Sequence, residues 1–89
     1  MITVKTINDH TFEVTVDASS KTVHEVTIPK GYYETLTAGR ITQEELIKKS
    51  FEFLLHRESN TMIFRKFELP VIKRYFPEYE SVIKDDITK

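Results

Sequence analysis

The stretch TFEVTVDASSKTVHEVTI, residues 11–28, decides the fold. Side chains of a strand point to opposite faces in turn, so a period of two marks a half-buried strand. Phe12, Val14 and Val16 fall on one face, and Thr11, Glu13, Thr15 and Asp17 fall on the other. After the polar Ala18-Ser19-Ser20, residues 22–28 read as a second strand with Val26 and Ile28 on one face and His24 on the same side. A loop this short joins antiparallel neighbours, which makes the pair a hairpin.

Toward the N terminus, residues 2–7 read as a weaker strand with Ile2 and Val4 in register and Asn8-Asp9 as its turn, giving a three-stranded antiparallel meander. Downstream, the fixed φ of Pro29 suits a helix start, and Tyr33 and Leu36 face the sheet before Gly39 stops a short helix. Thr42 followed by Glu45 is a capping box, each side chain satisfying the other's orphan backbone N–H, with Ile41 and Leu46 at the positions of a hydrophobic staple. A helix of some four turns follows, to about Glu58. Leu46, Ile47, Phe51, Leu54 and Leu55 share one broad arc with Ser50 inside it and Phe53 just beyond its edge. Glu45, Lys48, Lys49, Glu52 and His56 cover the reverse, where Glu45 and Lys49 have a favourable i,i+4 orientation. So wide a stripe calls for the sheet on one flank and the C-terminal segment, or another subunit, on the other.

Ser59, Asn60 and Thr61 are cap-type residues, each able to start a short helical piece, Met62-Ile63-Phe64, that ends at Phe67. In FELPVIKRYFPEYESVI, residues 67–83, Leu69 is biased toward extended backbone by the proline after it, and Pro70 and Pro77 are each suited to open a helix. The second of these helices runs through Tyr79, Val82 and Ile83, and the chain is expected to fray from Lys84. The expected fold class is α+β: the meander, a short helix, one long amphipathic helix and short C-terminal helices. Residues 1–84 form a single domain and residues 85–89 a frayed tail.

A chain of 89 residues buries a smaller fraction of its surface on folding than a typical enzyme domain does, so a thin stability margin is expected. Without cysteine it has neither disulfide nor thiolate zinc site, which suits a reducing cytoplasm. No basic leader with an apolar core opens the sequence, and no stretch approaches the roughly 20 apolar residues of a spanning helix, so a soluble protein without a membrane partner is expected.

The formal charge of -1 argues against a surface built wholly for phosphate backbones. Yet residues 57–76 gather Arg57, Arg65, Lys66, Lys73 and Arg74 against only Glu58 and Glu68. Cations interleaved with aromatics can grip phosphate and stack bases. These five residues, with Tyr75 and Tyr79 as exposed platforms, are the candidate interaction surface. Against this, Phe64, Phe67, Ile72, Tyr75 and Phe76 recur at helical spacings that suit a core, leaving the cations on a solvated side. His10, His24 and His56 show no helical metal-pair spacing, and each reads as structural or solvated. The carboxylates lie at helix starts and in the tail, and with Gly31 and Gly39 as its only glycines the chain has no phosphate loop. No catalytic, cofactor or metal residue is assigned, and an enzyme is not expected.

The run Glu45-Leu46 … Ser50-Phe51-Glu52-Phe53-Leu54-Leu55, then Arg57-Glu58, then Phe67-x-Leu69-Pro70-x-Ile72-x-x-Tyr75-Phe76-Pro77-Glu78-Tyr79, resembles a family of small bacterial and archaeal proteins carried as hypothetical. Departures are small, as at Ser59 and Met62. That resemblance implies a shared fold and supplies no functional residue. Gly39-Arg40-Ile41-Thr42-Gln43-Glu44-Glu45 is similar to the connection between sheet and helix in HicB-type antitoxins, with one extra residue. The leading functional expectation is a non-catalytic protein-interaction module, its partner another protein or a second copy in a homodimer. Its motive is an excess of large apolar side chains over what two layers hide. The alternative is an antitoxin-like or other nucleic-acid-binding regulator using residues 57–76.

Overall fold

The computed structural model describes residues 1–88. Strands β1 (Ile2–Thr6), β2 (Thr11–Asp17) and β3 (Lys21–Thr27) form the expected antiparallel meander. Its register stacks Ile2, Val16 and Thr22 in one row, Val4, Val14 and His24 in the next, and Thr6, Phe12 and Val26 in a third. Phe12, Val14, Val16, Val26 and His24 are buried, whereas Val23 on the opposite face is exposed, so the sheet has one dry side and one wet side.

The class is α+β, but the sheet has four strands rather than three, in the order β1-β2-β3-β4. Strand β4 (Lys66–Glu68) joins β3 in parallel, with Phe67 beside Val26. The Glu25 N–H reaches the Arg65 carbonyl at 2.7 Å, so the added strand satisfies backbone groups on an otherwise open edge. Residues 62–67 were expected to be helical; only a 3-10 turn, Asn60–Met62, precedes the strand. Three residues are too short to display a period, and pairing with β3 decided their conformation.

Helix α1 (Tyr32–Thr37) follows Gly31 in the left-handed region at φ 84° and closes on Ala38 and Gly39, both also left-handed. Helix α2 (Gln43–Leu55) starts with the capping box: Glu45 N–H donates to Thr42 Oγ1 at 3.1 Å, and Thr42 N–H donates to Glu45 Oε1 at 2.8 Å. Its buried residues include Leu46, Ile47, Ser50, Phe51, Phe53 and Leu54. Phe53, placed by periodicity outside the arc, is covered because C-terminal rings reach it: Tyr79 at 5.3 Å and Phe76 at 5.9 Å between centroids, both edge-on.

Leu69–Val71 is a 3-10 turn with Pro70 near its start, so Leu69 is turned rather than extended, and it continues into α3 (Ile72–Tyr75). After Pro77, α4 (Tyr79–Thr88) packs on α1 and α2. It stays helical past Lys84, where fraying was expected. Ile87 is partly buried against the core, and Asp86 takes the Lys49 ammonium at 2.5 Å. No ion pair joins Lys49 to Glu45 among the described residues; the contact across helices prevails over the local one. Among the described residues no helix is long and apolar enough to cross a membrane.

Candidate functional site

The seven residues singled out from the sequence differ in exposure and in partners, and Tyr79 is buried away from any surface. Arg57 donates to Glu78 at 3.2 Å and to the Phe53 carbonyl at 3.1 Å, its guanidinium lying 3.6 Å from the Phe53 ring centroid. Lys66 meets Glu25 across the β3–β4 pair at 3.6 Å. Lys73 meets Glu80 at 3.4 Å, within a cluster where the Tyr32 hydroxyl also donates to Glu80 at 2.8 Å. Hydrogen bonds and the lysine hold the Glu80 carboxyl below its ordinary range, while burial and the adjacent carboxylate drive the Tyr32 phenol well above its own. Each of these three cations thus answers a different acid. Arg65 and Arg74 are exposed and in no ion pair among the described residues.

The two tyrosines separate as well. Tyr79 is not an exposed platform: it is fully buried, its hydroxyl 2.6 Å from Ser50 Oγ, and burial raises its phenol far above the usual range. Tyr75 is 62 % exposed, its ring edge-on to that of Phe64 at 5.6 Å. Phe64, which helical spacing suggested for the core, is 51 % exposed, and Met62 is 70 % exposed.

These three side chains rim a groove of about 330 Å³ between the C-terminal end of α2, the 60–68 segment and α3. Leu54, Ile63 and Ile72, all buried, belong to its lining, so the groove opens directly onto the core. Phe67, Phe76 and Val71 complete the apolar wall. Glu58 is its one charged lining residue, and burial pushes that carboxyl above its ordinary range.

Compared with protein-family models, curated proteins and solved structures, the chain matches none. The site is therefore read from its own geometry.

The segment that carries the rim is fastened from below. His24 Nδ1 lies 2.8 Å from the Phe64 carbonyl, and Asn60 Nδ2 donates to the Ser20 carbonyl and to Thr22 Oγ1, each at 2.8 Å. Exposure of Phe64 is thus set by buried polar contacts that hold the backbone beneath it. Sequence reasoning missed the groove because Met62 and Phe64 look like any short apolar run. The one available signal was the density of aromatics within a short segment that two prolines keep from forming a continuous helix. Among the described residues, no three His, Asp or Glu side chains gather where they could hold a metal ion.

Proposed function

We propose that this chain is a small non-catalytic protein-interaction module that docks its partner in the groove between α2, the 60–68 segment and α3. The observation that carries the reading is the exposure of Met62, Phe64 and Tyr75 together around a concave apolar wall. Apolar surface gains roughly 25 cal/mol per Å² on burial, and this fold leaves that gain unused at three large side chains around one groove. Rimmed apolar patches of this kind are the usual mark of an interaction site. Among the described residues the lining has only Glu58 and the Tyr75 hydroxyl as polar side-chain groups, fewer than the convergent set of a catalytic pocket.

The test uses Nile red, an uncharged dye that fluoresces in apolar surroundings, with sedimentation equilibrium at micromolar concentration. Native protein is expected to light the dye or to self-associate through the groove. The double substitution Phe64→Ser with Tyr75→Ser should abolish either behaviour while thermal unfolding stays cooperative. A native protein that is strictly monomeric and leaves the dye dark removes the basis of the reading.

A further inference from the structure

Glu58 is placed where folding gains nothing from it. It lies just past the end of α2, its own N–H donating to the Leu54 carbonyl. There the helix dipole presents its negative end, so a carboxylate is repelled. The side chain is also partly withdrawn from water, and it lines the groove together with Leu54, Ile63 and Phe64. Among the described residues, no hydrogen bond or ion pair ends on its carboxylate. Four other acids near the helices are engaged, Glu78 by Arg57, Glu80 by Lys73 and Tyr32, Asp86 by Lys49, and Glu44 by the Thr6 hydroxyl, while Glu34, Glu52 and Asp85 stand exposed in water, as Glu58 does not. A local rule broken without compensation is characteristic of a working position.

The aromatic rings around it have the matching character. Phe64 stands edge-on to Phe67 at 6.5 Å and to Tyr75 at 5.6 Å, with interplanar angles of 62° and 66°, so the walls meet at steep angles. Ring faces are electronegative and attract ammonium groups, the more so when water is excluded. About 330 Å³ lies at the small end of ligand pockets, room for one long side chain rather than a folded element. Apolar walls, ring faces and one unpaired carboxylate call for an apolar stem that ends in a positive charge.

We infer that the groove recognises a lysine-type side chain of the partner, its alkyl stem along Leu54, Ile63 and Ile72 and its ammonium at Glu58. This rests on the docking role proposed above. Arg65 and Arg74 lie outside the lining and bear the opposite charge, so the selectivity belongs to Glu58.

The test compares n-hexylammonium, hexan-1-ol and hexanoate at pH 7.5, read by the methyl chemical shifts of Leu54, Ile63 and Ile72. The ammonium should bind roughly fivefold tighter than the alcohol, the upper scale of a solvent-exposed ion pair, and hexanoate most weakly. In Glu58→Gln the ammonium should fall to the level of the alcohol, with alcohol binding and the thermal midpoint not reduced. Equal binding of ammonium and alcohol by the native protein, or tightest binding of hexanoate, overturns the inference and leaves the docking groove standing. Absence of shifts with all three probes overturns both. A capped Leu-Lys-Phe peptide should outbind its norleucine analogue; if it does not while the free amine is preferred, assignment to a partner's side chain is wrong.

Discussion

His24 sits in the middle of β3 with both ring nitrogens committed. The Phe64 carbonyl only accepts, so Nδ1 carries the proton and donates across 2.8 Å. Nε2 of the neutral ring then accepts from the Thr22 hydroxyl at 2.8 Å, whose oxygen in turn accepts from Asn60. Protonation would turn Nε2 into a second donor facing that oxygen and would leave the hydroxyl proton without its acceptor. Burial, the largest cause, and the charge of Arg65 lower the histidine's pKa, against the bond to Phe64 that raises it. The unfolded ring takes a proton near pH 6.5 while the folded one resists, so stability is complete above about pH 6.5 and is lost as pH falls below it. The urea midpoint is expected to drop between pH 7 and pH 5, and His24→Gln should be weaker at pH 7 with a flatter slope. A native profile flat across that range would show that the folded ring takes a proton as readily as the unfolded one. Glu58, raised by burial, has the opposite sign, its contribution fading as pH rises above about 4.5, so the two are separated by repeating the titration in Glu58→Gln.

At the scale of elements, the joint between α2 and α4 shows how periodicity misleads. Ser50 looks like a flaw in the apolar arc, and Tyr79 like a free polar tip. They lie 2.6 Å apart in the core, and Ser50 Oγ also donates to the Leu46 carbonyl at 2.7 Å. With the serine proton used there, the tyrosine hydroxyl is the donor of the pair. Tyr79→Phe removes one bond and strands no donor, a loss of about 1 kcal/mol, whereas Ser50→Ala leaves a buried phenol without an acceptor, at about 2 kcal/mol. Chemical denaturation of both singles and the double should give Ser50→Ala the larger loss and the double less than the sum. Equal losses would mean that water reaches the phenol. Elements defined by local rules were legible in advance: the Thr42–Glu45 box starts α2, and strict alternation sets β2. The cover over Phe53 was not, because its rings come from residues 76 and 79, a distance in sequence that no periodicity spans.

Across the whole molecule, closure depends on β4. Strands β2 and β3 pair over seven positions within one hairpin, whereas β4 pairs over three and is separated from β3 along the chain by α1 and α2. Closing so long a loop costs chain entropy before it gains three backbone pairings. Native-state hydrogen exchange should find the Glu25 amide, bonded to Arg65, opening at lower free energy than the hairpin amides shared by β2 and β3. Equal protection would mean that β4 and the hairpin unfold as one unit. By itself the sequence determined what is local: the alternation that makes the meander, the capping box that starts α2, and the absence of thiol chemistry. The tertiary structure alone decided that β3 gains a parallel neighbour, that Tyr79 is buried and Tyr75 exposed, and that Glu58 faces an aromatic groove. The physical reason is that burial and pairing depend on which distant segment arrives. Residues 57–76 acquire their faces only by docking on α2 and on the edge of β3.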